Sequence, residues 1–293
     1  MFITGSSGFV GSNLKTYLGD SFKISEFKRE KECNINSNVV VHLAGKAHDL
    51  KNVSSSQDYY KINTELTKDI FKAFLASKAK VFITLSSVKA IADKVVGVLL
   101  EDTTSNPITH YGKSKLLAEE YILSQQIPDG KRVYILRPCM IHGPGNKGNL
   151  NLLYNIVSKG LPWPLGSFEN SRSYLSIENL CFIIKELIER DDIPSGVYNV
   201  ADDVPISTNE IINMIAESKG KKANILNTSM NLIYVLAHIG DFIKLPINTE
   251  RLQKLTESYV VSNSKIKSAL GKPLPVSSKE GLMRTFQSFA HNV

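Results

Sequence analysis

Cysteine is scarce in this sequence: Cys33, Cys139 and Cys181 are the three in 293 residues, odd in number and widely scattered. They show neither a disulfide framework nor a metal-ligand spacing, which argues against a stapled secreted module, points to a reducing cytosol and leaves no metal expected. Long apolar runs are missing too. The most apolar late stretch, MNLIYVLAHIGDFIKLP (230–246), is interrupted by His238, Gly240, Asp241 and Lys244 and is too short to cross a bilayer. It predicts a helix buried against the body of the protein, with no membrane partner. No basic run reaches five residues, so the net charge of +7 reads as lysines on solvated helix faces, and no nucleic-acid partner is expected. A positive surface of this kind would help to draw in an anionic small molecule. The opening MFITGSSGFVG leaves no room for a signal peptide before the first strand pattern, which again predicts a cytoplasmic protein.

What is present is an alternation of short β-rich runs with longer helical patterns. Strands are predicted over 1–4, 22–27, 39–44, 80–86 and 132–138, with helices over 59–77 and 111–125 between them. Continuous runs such as Val39-Val40-Val41 suit strands covered on both faces. The fold class is therefore α/β, a doubly wound parallel sheet. The link between the second and third strands, 28–38, is barely long enough for a crossover helix, so the sheet should be trimmed there. After Pro138 the texture becomes rich in Gly, Pro and Asn. Helices are predicted at 150–158, 178–190, 208–218 and 230–243, with short strands at YLSI and VYNV. The expected organisation is a nucleotide-binding part, 1–140, and a smaller α/β substrate lobe, 141–293, with some elements returning to the first sheet.

Two features carry chemistry. Gly5, Gly8 and Gly11 follow the first strand directly and open a helix in ITGSSGFVGSNL. Without Cβ atoms the chain can turn tightly, and its backbone N–H groups at a helix N-terminus can hold a diphosphate. Gly5, Ser7, Gly8, Phe9, Val10 and Gly11 are thus the candidate dinucleotide loop. The fourth strand ends in Ser86 and Ser87, and Tyr111 follows 24 residues later with Lys115 one helical turn beyond it. Of the eleven tyrosines only Tyr111 has a lysine four residues on. A free phenol is a poor base at neutral pH, and a neighbouring ammonium favours its phenolate and makes it a usable proton carrier. Ser87 would hold a substrate oxygen beside it. Past the second strand, SEFKREKE places Lys28 and Arg29 where an acid would meet the adenosine ribose. Cations there suit the 2′-phosphate of NADP, whereas Glu26 would serve as the ribose acid of NAD if the strand stops early.

Thr4, Gly5, Gly8, Phe9 and Gly11 fill the pattern T-G-x-x-G-F-x-G, and with Ser87, Tyr111 and Lys115 in this order the chain resembles the extended short-chain dehydrogenase/reductase superfamily, in its NAD-dependent epimerase/dehydratase family. The resemblance implies a Rossmann sheet, an NADP or NAD cofactor and a UDP-sugar substrate, with a homodimer possible. It implies cofactor contacts from Leu43 and Ala44 in the HLAG turn, from Asn63, from Pro138, and from Tyr111 and Lys115. RPCMIHGPGNKGN and SRSYLSIENL resemble the sugar-diphosphate segments of nucleotide-sugar enzymes, which implies substrate contacts from Asn149 and Arg172, and Arg251 is a further phosphate candidate. The nearest branch holds UDP-N-acetylglucosamine 4-epimerases and 4-keto-sugar reductases of surface polysaccharide synthesis. A dehydratase is disfavoured because Val88 and Lys89 follow the serine, where those enzymes carry carboxylates. AIAD in place of the usual V-Y-G is a departure on the sugar side. The Lys28-Arg29 pair tips the reading toward a reductase, with a 4-epimerase holding NAD tightly as the alternative. A non-catalytic dinucleotide sensor or nucleic-acid-binding relative is a third reading, disfavoured by the retained Tyr111 and Lys115.

Overall fold

The computed structural model describes residues 1–27, 33–47, 55–146, 148–243 and 248–290. The first half runs β1 (Phe2–Thr4), α1 (Phe9–Leu18), β2 (Ser25–Glu26), β3 (Val39–His42), α2 (Ser56–Tyr59), α3 (Leu66–Ala76), β4 (Val81–Leu85), β5 (Val98–Leu99), α4 (His110–Leu123) and β6 (Arg132–Pro138). The second runs β7 (Met140–His142), α5 (Asn149–Ser158), β8 (Tyr174–Ser176), α6 (Ile177–Glu189), β9 (Gly196–Val200), α7 (Thr208–Glu217), α8 (Met230–Ile243), α9 (Thr249–Thr256), β10 (Val260–Val261), α10 (Ser264–Leu270) and α11 (Ser278–Ala290).

Six parallel strands form one sheet in the order β2-β1-β3-β4-β6-β9. The strand order reverses between β1 and β3, which is where a doubly wound sheet opens a crevice at its carboxyl edge. Side chains alternate across the pleat, so each strand feeds two cores. Ile3, Val41, Ile83 and Leu136 join Leu14 of α1 and Leu180, Ile184 and Leu187 of α6 on one face. Phe2, Val40, Phe82 and Ile135 join Ile70, Phe71 and Phe74 of α3 and Ile122 of α4 on the other. Burial on both faces is the reason these strands read as unbroken apolar runs.

The predicted strand at 22–27 is reduced to Ser25–Glu26, which pairs with Phe2 and Ile3. The predicted helix over 59–77 is realised as α2, a wider π turn over Tyr60–Glu65, and α3. VYNV forms β9, which returns to the main sheet beside β6, whereas YLSI forms β8 and pairs with β7 outside it. A further core gathers Leu150, Tyr154, Trp163, Phe168, Ile211, Ile215 and Phe286 from the second half.

One expectation is overturned. The helix predicted at 230–243 forms, but it is not buried: only Ile233, Ala237 and Gly240 are covered, and its remaining apolar side chains face solvent. The buried positions recur at intervals of four and three residues, a strip too narrow to hide a helix whose other faces are also apolar.

Candidate active site

The loop after β1 is shaped by what its glycines leave out. Gly5 has φ +70°, and a Cβ there would lie 2.7 Å from Ala44 N and from the Leu43 carbonyl carbon. A Cβ on Gly11 would run into the Gly5 carbonyl oxygen and sit 2.7 Å from Ser6 Cα. The first glycine therefore lets the loop press on the chain after β3, and the last lets α1 press on the loop. Gly8 opens α1 with no side-chain cap and no acid in the first turn, and Ser7 and Gly8 are exposed. The N–H groups of Phe9, Val10 and Gly11 are thus at the positive end of an uncapped helix, a seat for a diphosphate. This cradle, which side chains would fill, fits the dinucleotide that the sequence implies. Leu43 and Ala44 flank it, and Pro138 ends β6 on the same carboxyl edge of the sheet.

Beneath the loop runs a directed chain of hydrogen bonds. Ala44 N donates to Thr4 Oγ1 at 3.1 Å, and Thr4 Oγ1 lies 2.7 Å from His42 Nδ1. On the other side of the ring His42 Nε2 lies 2.9 Å from Thr67 Oγ1, which donates to the Asn63 carbonyl at 2.7 Å. With the Thr67 proton committed to Asn63, His42 donates from Nε2, and in the neutral ring Nδ1 then accepts from Thr4. Burial, aided by the Lys115 charge, holds its pKa down to about 3. Asn63, fully buried in the π turn, accepts from Lys46 N at 2.8 Å and donates to Ser114 Oγ at 3.0 Å. It ties the segment after β3 to α4.

Helix α4 is fixed at its start by Thr109, which accepts from Gly112 N at 3.1 Å, and by Asp93, whose carboxylate accepts from Ile108 N at 2.6 Å. Gly112 packs against the Lys89 carbonyl, so the helix lies directly on the turn that follows Ser87. That contact brings Tyr111 and Ser87 together. Burial raises the Tyr111 phenol above its ordinary value of 10, while the neighbouring Ser87 hydroxyl works the other way and Tyr59 adds to the rise. Lys115, one turn on, is buried and donates from Nζ to the Leu85 carbonyl at 2.8 Å. A Cβ on Gly45 would lie 3.0 Å from that nitrogen. Desolvation holds Lys115 down to about 8, with Glu119 opposing. Ser87, Tyr111, Lys115, Asn63 and the glycine loop thus share one carboxyl edge.

Sequence reasoning missed two neighbours. Glu119 is buried and forms a bidentate pair with Arg137, its Oε2 2.6 Å from Nη2. Its position four residues after Lys115 was a usable signal. Tyr59 meets Tyr111 edge to face with ring centroids 6.3 Å apart, and no spacing in the sequence announces that contact.

The substrate candidates are not all brought to the trio. Arg172 donates to the Lys254 carbonyl of α9 and lies 3.9 Å from Glu257. Its charge reaches Lys89, whose pKa is lowered chiefly by burial and further by Arg172. Arg251 sits in the first turn of α9, where its N–H donates to Asn248 Oδ1 at 2.9 Å. Both arginines are thus tied to α9, Arg172 through the Lys254 carbonyl and Arg251 as a residue of that helix. Asn149 opens α5, and its side chain, like Lys28 and Arg29, lies outside the described residues. Glu26 ends β2 and accepts from Lys15 Nζ at 2.8 Å. Among the described residues no group of three His, Cys, Asp or Glu side chains could hold a metal, and no helix is long and apolar enough to cross a membrane.

The UDP-glucose 4-epimerase of Vibrio cholerae is 31% identical over 99% of this chain and 95% of its own. The N-acetyl-alpha-D-glucosaminyl-diphospho-ditrans,octacis-undecaprenol 4-epimerase of Escherichia coli O157:H7 is 26% identical over 99% and 96%. The structure of UDP-glucuronic acid 4-epimerase from Bacillus cereus in complex with NAD superposes with a TM-score of 0.74 at 20% identity, covering 99% of this chain and 98% of that one. Residues 19–201 match the NAD dependent epimerase/dehydratase family, and the chain belongs to it, as an NAD(P)-dependent enzyme with a Rossmann sheet.

Proposed function

We propose that this enzyme is a 4-epimerase of a UDP-linked hexose or N-acetylhexosamine and keeps its NAD bound between turnovers. The observation that carries the reading is the joining of Ser87, Tyr111 and Lys115 at the sheet edge that also holds the glycine loop. Ser87 holds the C4 oxygen of the sugar near the phenol. Tyr111 takes the C4 hydroxyl proton and returns it after the keto sugar has turned. The bound dinucleotide supplies a hydride acceptor and donor. Because burial raises the Tyr111 phenol, its ionisation calls for positive charge nearby, and Lys115, one turn on in α4, is the cation assigned to that role and to the ribose hydroxyls.

The early end of β2 at Glu26 supports NAD, since a carboxylate there would accept from the ribose hydroxyls on releasing Lys15. The likeness to the Vibrio cholerae 4-epimerase over nearly the whole chain supports the same reaction. Residues 1–140 hold the dinucleotide and 141–293 the sugar diphosphate, with Asn149, Arg172 and Arg251 as its contacts. Arg172 suits that role only after releasing the Lys254 carbonyl. A second reading, a 4-keto-sugar reductase using NADPH, is carried by Lys28 and Arg29.

The test is to denature the purified enzyme, identify the released nucleotide by mass, and assay UDP-sugar epimerisation with no added cofactor. Released NAD and turnover without supplement are expected. Empty protein that consumes NADPH with a UDP-4-keto-6-deoxy sugar supports the reductase instead.

A further inference from the structure

The outer face of α8 is apolar and exposed. Val235 is 54% exposed, Phe242 85% and Ile243 63%, and Leu232 and Ile239 are exposed beside them. At about 100° per residue, Leu232, Val235, Ile239 and Phe242 fall on one strip opposite the covered strip of Ile233, Ala237 and Gly240. A contiguous apolar face of this kind marks an interaction site.

The charge around it selects the occupant. Lys159, Lys219, Lys221 and Lys222 are exposed, and none has an ion-pair partner among the described residues. The last three line a shallow cleft with Leu161, itself exposed, and lie on the loop that leads into α8. Segments 161–166 and 224–227 run side by side, with Trp163 N donating to Asn224 O and Leu226 N to Trp163 O, each at 2.8 Å. Phe168 then meets Tyr234 of α8 with ring centroids 5.7 Å apart. The lysine rim and the apolar helix therefore belong to adjoining segments of one lobe. Acids stand nearby as well: Glu217 ends α7, exposed Glu169 follows Phe168, Glu250 of α9 is paired with Lys254, and Asp241 accepts from Thr249 N at 3.0 Å. A second copy of the chain placed on α8 would bring two lysine rims together, which like charge opposes. An anionic lipid surface would receive the apolar strip at its headgroup boundary and the lysines at its phosphates.

We propose that α8 and the Lys159/Lys219–Lys222 rim seat this enzyme reversibly on an anionic lipid surface. The seat is separate from Tyr111 and Lys115, so it stands whether or not the C4 chemistry does. Helix α8 packs on α9 through its covered strip, with Leu252 of α9 in the same core as Ile233 and Ala237.

The experiment is flotation of the full-length protein with vesicles of phosphatidylcholine, and with vesicles in which about a third of the lipid is phosphatidylglycerol. Each lysine near an anionic surface is worth roughly fivefold in partitioning, so K219Q/K221Q/K222Q should weaken binding to the anionic vesicles by about two decades and reduce its salt dependence. V235Q/I239Q/F242Q should abolish flotation, and Phe242→Gln alone, a change of one exposed side chain, should weaken it at an unchanged melting temperature. Wild-type protein that fails to float with the anionic vesicles overturns the proposal. So does a wild-type dimer in solution that V235Q/I239Q/F242Q converts to monomer, because the strip would then be covered by a second copy.

Discussion

Protonation of His42 should unfold this protein from the inside. The ring is buried between Thr4 and Thr67 and stays neutral down to about pH 3, whereas a histidine in the unfolded chain takes up its proton near its ordinary value of 6.5. The unfolded state therefore binds more protons throughout that window, and stability falls as pH drops below about 6.5. Between about pH 7.5 and about pH 5 this one group removes about 2 kcal/mol, a sizeable share of the total for a typical domain. His42→Gln keeps an amide that can donate to Thr67 but cannot titrate. It should cost roughly 1–3 kcal/mol at neutral pH through imperfect hydrogen bonding. The assay is urea unfolding of both proteins at the two pH values, read as a difference of differences so that other titrating groups cancel. The wild type should lose about 2 kcal/mol more than the variant on acidification. Equal losses would refute the assignment of a neutral, buried ring.

Tyr111→Phe should lower turnover by roughly 10²–10⁴-fold while the nucleotide released on denaturation is unchanged, and normal turnover would remove the phenol from the mechanism. Lys115→Met should abolish activity yet raise stability by on the order of 1 kcal/mol at neutral pH, because it removes an ammonium that burial already disfavours. A melting temperature below wild type would count against that reasoning. Glu119→Gln should destabilise by about 3–5 kcal/mol by leaving the buried Arg137 unpaired, measured by denaturant titration. Gly11→Ala should release the bound nucleotide, since the new methyl meets only backbone atoms of Gly5 and Ser6, as mass analysis of the purified variant would show.

The placement of residues fixed by local order was legible in the sequence. The glycine loop, Ser87 and the Tyr111–Lys115 spacing are set by a strand end and a single helical turn, and these follow from periodicity. The strands came through because burial on both faces leaves an unmistakable apolar run. What escaped depended on contacts between distant segments. Tyr59 reaches Tyr111 only through the π turn, a wider coil that helical spacing does not anticipate. Arg172 was matched by its segment, but its guanidinium is turned to the carbonyl end of α9, about 80 residues away in the chain. Helix α8 forms as the apolar pattern predicts but is not buried, because that pattern does not tell a covered apolar face from an uncovered one.

The strand at the far edge of the main sheet, β9, is made only after β7, β8, α5 and α6 have been synthesised, yet it completes the hydrogen bonding of β6 and lends Tyr198 and Val200 to the shared core. A fragment ending near residue 140 would present β6 as a bare, flat, apolar edge, the kind of template on which chains stick to one another. On the ribosome the last strand of that sheet emerges only after about 200 residues, so cutting the chain where its composition changes, after Pro138, would remove the strand that covers β6.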